Sequence, residues 1–75
     1  MIDYFERIEN KIEEVENALS RENNRENRAI IHSAYHSANT IAKKSNNSQV
    51  VIYALLAVEL IRELTLQKWP NFKFH

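Results

Sequence analysis

Phe5, Ile8, Ile12, Val15 and Leu19 recur at intervals of three and four residues, with Glu6, Glu9, Glu13 and Glu16 set between them. That rhythm lays one apolar stripe along a helix and predicts a first helix over 2–20. It lapses over 20–27, where Asn23, Asn24 and Asn27 are suited to capping helices and to left-handed backbone angles. A break is predicted here in preference to one rod running through both segments. Asn23 as the cap places Glu26 at the third helical position, a capping-box arrangement with Asn in place of Ser or Thr.

A second stripe follows in Ile31, Ala34, Tyr35, Ala38, Ile41 and Ala42, and predicts a helix over 25–44. The alanines at every fourth position let a neighbouring helix approach closely, with Ala54 and Ala57 as their counterparts. Ser45, Asn46, Asn47 and Ser48 form the second turn and supply cap-forming side chains for a third helix over 48–68.

The third helix departs from the amphipathic rule. Positions 50–58 are apolar without interruption, and charge returns only at Glu59, Arg62 and Glu63. Such a helix is apolar on every side in its front half and needs more than one neighbour to cover it. Two neighbours in a three-helix bundle leave part of that surface wet. The expectation is therefore a dimer joined through this helix, with Val51, Ile52, Leu55, Leu56 and Val58 at the interface. Pro70 disfavours helical angles in the residue before it and ends the helix near Trp69. Trp69, Phe72 and Phe74 then crowd a short tail over 69–75, which either folds back on the bundle or reaches out as an arm toward another chain.

Composition sharpens this picture. Glycine is absent and proline occurs once, so hairpins and strand connections lack their usual turn residues. The fold class is all-α, a three-helix up-down-up bundle forming one domain over 1–75 with an aromatic tail. Without cysteine there is neither a disulfide staple nor a thiolate metal site, and a reducing cytoplasmic setting is expected. A core this small is marginal alone, a further reason to expect self-association. No signal peptide is expected, because the first residues lack a basic patch followed by an apolar stretch. No membrane span is expected either, since the apolar run has about half the ~20 residues required.

Ten acidic and ten basic side chains balance, which argues against a polyanion as the main partner. Within that balance the first helix is acidic, and Glu9, Glu13 and Glu16 form a face that suits a basic protein partner. Arg25, Arg28, His32, His36, Asn39 and Lys43 form a stripe on the second helix able to touch phosphates, the basis of an alternative reading as a nucleic-acid-associated regulator. His32 and His36, four apart on one helical face, are spaced to share a metal ion, but no carboxylate of that helix joins them; further ligands would have to come from another helix or another copy, with Glu59, Glu63 and His75 as candidates. Arg25 and His32 share the spacing of an arginine–histidine pair that resembles HEPN-type RNases, at two residues only, and no family is assigned on it.

No enzyme is expected. Ser33, Ser37, Ser45 and Ser48 lack a histidine and acid arranged as a relay, and there is no glycine loop to cradle phosphate. No cofactor is expected. The reading is a small non-catalytic interaction or regulatory protein that binds a protein partner as a helical homodimer, through Trp69, Phe72 and Phe74 and the acidic face.

Overall fold

A computed structural model of the chain describes residues 3–74. Helix α1 spans Tyr4–Leu19, α2 Arg25–Lys44 and α3 Ser48–Lys68. Each helix packs against the other two, most extensively α2 against α3, in an all-α bundle of 36 × 20 × 16 Å. The first helix begins at Tyr4, two residues later than its predicted start at residue 2, because Asp3 is extended and caps it; residue 2 itself lies outside the described residues.

Local chemistry sets the ends. The Asp3 carboxylate accepts from the Glu6 amide at 3.2 Å and caps α1. The break between α1 and α2 is real, but its cap is Asn24, one residue later than the capping-box reading placed it. The Asn24 side chain accepts from the Asn27 amide at 3.0 Å, and Asn27 Nδ2 donates back to the Glu22 carbonyl at 2.9 Å. Asn27 is buried, and these two bonds, one to Asn24 and one to Glu22, engage its backbone N–H and its side-chain amide nitrogen. Asn23 is left to accept from the Arg28 guanidinium at 2.9 Å. Asn47 caps α3, its side chain accepting from the amides of Gln49 and Val50. No described residue has positive φ, so the asparagines turn the chain by capping in extended conformations and not by left-handed angles.

The core forms two clusters along the bundle. Ile8 of α1, Ile41 of α2 and Val50, Ala54 and Ala57 of α3 meet at one end. Val15, Ala18 and Leu19 meet Ile31, Ala34 and Ala38, and Val58, Ile61 and Trp69, at the other. The start of α1 thus lies beside the end of α2 and the start of α3, the up-down-up order. Half-buried Ile12 packs against both clusters. Ala42 shares a cluster with Ala54 and Ala57 as the small-residue pairing predicts, whereas Ala34 and Ala38 pack among larger side chains at the tail end. Thr65 is fully buried and donates its hydroxyl to the Ile61 carbonyl at 2.7 Å, which removes the penalty of enclosing it.

Candidate interaction surface

Helix α3 turns Val50, Ala54, Ala57, Val58, Ile61 and Thr65 inward. Residues at three- and four-residue steps on its opposite side then share one outward face, and these are Ile52, Leu55, Leu56 and Leu60. They are 59%, 51%, 63% and 40% exposed. Scattered exposed leucines are ordinary, but four in register on one helix form a contiguous apolar strip of on the order of a few hundred Å², comparable to the largest apolar patch on a typical monomer. Of the five residues expected at a dimer interface, Ile52, Leu55 and Leu56 stand on this strip. Val51 is half-buried, and Val58 lies in the bundle core, where Ile61 and Trp69 share its cluster. Leu60 was not among the expected residues; it sits one turn beyond Leu56, in the segment where returning charge suggested a solvated face.

Phe5 and Tyr53 stand ring against ring beside this helix, centroids 5.3 Å apart. The Tyr53 hydroxyl donates to Glu9 Oε1 at 3.3 Å, tying the amino-terminal half of α3 to α1. Desolvation first, then the Glu9 charge and this hydrogen bond, holds the Tyr53 phenol above its ordinary value. Glu9 is therefore partly engaged within the chain, while Glu13 and Glu16 are exposed along α1.

The tail folds back on the bundle. Trp69 is 8% exposed and belongs to the core, and its amide closes the last turn of α3 on the Thr65 carbonyl. The Phe72 amide donates to the Trp69 carbonyl at 3.0 Å, which turns the chain toward α2. There Phe72 lies 4.8 Å from the His32 ring and Phe74 4.4 Å from the Tyr35 ring, with Phe72 and Phe74 4.7 Å apart. Phe72 and Phe74 are half-buried, so their free edges are what the tail offers outward.

On the α2 stripe His32 faces Phe72, Arg28 donates to Asn23, and Asn39 Nδ2 donates to the Tyr35 carbonyl at 3.2 Å; Arg25, Arg28, His32, His36 and Lys43 are all exposed and Asn39 is half-buried. Among the described residues no three histidine or carboxylate side chains converge as a metal site, and His75, one of the conceivable third ligands, lies outside them. No helix of the described chain is long and apolar enough to cross a membrane.

No protein-family model, no curated protein and no solved structure matches the chain.

Proposed function

We propose that this chain is a small non-catalytic interaction module that works as a homodimer joined through the outer face of α3. The observation that carries it is the strip of Ile52, Leu55, Leu56 and Leu60, left exposed in a bundle where, among the described residues, the other large aliphatic side chains are buried or half-buried. Removing such a strip from water is the dominant favourable term in association.

A second copy is the occupant that the pattern supports. Ile52, Leu56 and Leu60 are evenly spaced about Leu56, so a two-fold axis through Leu56 sets Ile52 of each copy against Leu60 of the other, a self-complementary contact. Charge selects the orientation. Glu59 and Glu63 flank the strip toward one end, and the first turn of α3 carries no acid. Antiparallel pairing brings Glu63 toward the partner's amino-terminal turn, where the helix dipole favours a negative charge. Parallel pairing sets each glutamate against its own copy, which is repulsive. A stable interface buries about 800 Å² per partner, so the flanking Gln49, Tyr53, Glu59 and Glu63 supply a rim around the strip. In this reading the exposed Glu13 and Glu16 and the outer edges of Phe72 and Phe74 are what the dimer presents to a basic protein segment.

Sedimentation equilibrium through the micromolar range is expected to give twice the 8.9 kDa chain mass for the wild type. Leu56→Lys is expected to halve that mass while circular dichroism stays helical. The absence of native cysteine lets orientation be read directly: Leu56→Cys is expected to cross-link with itself, and Ile52→Cys with Leu60→Cys but not with itself. A wild type of single-chain mass throughout the range overturns the proposal.

A further inference from the structure

A cleft of about 270 Å³ lies between α1 and α2, with no α3 residue in its lining. Its wall carries Arg7 and Lys11 from successive turns of α1, and His36 and Lys44 from α2. No carboxylate lines it among the described residues, although the chain as a whole holds as many acids as bases. Concentrating cations in a concave wall raises the local potential well above what a neutral surface gives. The ammonium of Lys11 is shared, standing 3.1 Å from Glu14 outside the cleft, so Arg7 and Lys44 carry the larger part of the free charge.

Donor hydroxyls complete the wall. The hydroxyls of Tyr4 and Ser37 make no hydrogen bond among the described residues, and Ser45 Oγ accepts from the Asn47 amide, which leaves its own proton to give. Thr40 differs, since its hydroxyl already donates to the His36 carbonyl at 3.0 Å and can only accept. A set of two or three cations with neutral hydroxyl donors matches the oxygens of a phosphoryl group, which takes charge-assisted hydrogen bonds from several directions. Tyr4, Lys44 and Ser45 also line a neighbouring hollow walled by Phe5 and Val50, so the space runs on from cations to apolar side chains. Asp3 on that second wall disfavours a second anionic group there.

We infer that this cleft binds an organic phosphomonoester, its phosphoryl group between Arg7 and Lys44 and its apolar body toward Tyr4, Phe5 and Val50. Its cations belong to α1 and α2 and not to the α3 strip, so the phosphoryl subsite does not rest on the dimer proposed above. Phenyl phosphate, inorganic phosphate and benzyl alcohol, titrated into the isotope-labelled full chain at constant ionic strength, separate the contributions. Phenyl phosphate is expected to give saturable amide shifts at Arg7, Ser37 and Lys44, several-fold tighter than inorganic phosphate, and benzyl alcohol none that saturate. Arg7→Gln and Lys44→Gln are each expected to weaken it about tenfold, the worth of one charge-assisted hydrogen bond, while Lys68→Gln changes nothing and all three variants keep the wild-type melting temperature. Shifts that stay linear, or equal weakening by Lys68→Gln, overturn the site. Equal affinity for phenyl and inorganic phosphate overturns the assignment of an apolar body.

Discussion

Tyr53 shows how one side chain of an apolar run can be spent on orientation. Its ring packs on Phe5 and in the cluster of Ile8 and Ala54, while its hydroxyl reaches Glu9 on the neighbouring helix. The fold favours the neutral phenol over the phenolate, so the folded-state value lies above the unfolded value of 10.0. Stability from this residue is therefore complete below pH 10 and is lost as the pH rises through the folded value. In alkaline melts, wild-type stability is expected to fall more steeply above pH 10 than that of Tyr53→Phe, with the two curves parallel from neutral pH up to that point. The difference should be shallow, since solvent screens the pair. Curves that stay parallel throughout remove the Tyr53–Glu9 contact from the account. Nothing in the sequence distinguished Tyr53 from its apolar neighbours, because Glu9 is 44 positions away and only packing of α1 on α3 joins them.

At the scale of the helices, periodicity and capping residues carry nearly all of the result. Predicted bounds of 25–44 and 48–68 coincide with α2 and α3, because Asn24 and Asn47 stop the preceding chain from joining the helix and Pro70 ends the last one. The cap of α2 is the exception. Three asparagines competed for it, and the choice fell on Asn24 because Asn27 can return a bond to Glu22, a contact across the turn that linear spacing does not contain. Asn24→Ala is expected to cost about 1 kcal/mol in urea unfolding and Asn23→Ala no more than about 0.5 kcal/mol. The reverse order would restore Asn23 as the cap. The tail follows the same logic, as the alternatives of plug and arm were both open in the sequence and Trp69 closed one of them by finding a place beside Ile61 and Ile31.

For the whole molecule the governing fact is a shortage of neighbours. Three helices enclose two small clusters, and α3 contributes to both while keeping four aliphatic side chains in water. A chain of this size has little stability to spare, so an association that covers the strip is coupled to folding. The melting temperature is accordingly expected to climb with protein concentration in the wild type and to be independent of it in Leu56→Lys. A concentration-independent wild type would mean that the bundle holds itself together with the strip wet. The cleft between α1 and α2 belongs to this scale as well. Arg7 and Lys11 share a face of α1 at four-residue spacing, a signal present in the sequence, but they read as solvated charges on an acidic helix until Lys44 and His36 are brought opposite them.

Sequence alone determined that this protein is helical, the bounds of its second and third helices, and that its third helix has apolar surface on more sides than two neighbours cover. These are consequences of spacing, of capping chemistry and of the absence of glycine, all local in the chain. Which side of that helix stays uncovered, whether the aromatic tail plugs or reaches, and which cations face one another across a cleft were decided only by tertiary structure. Each depends on how the helices rotate about their axes as they pack, and that rotation is set by contacts between residues far apart in the chain.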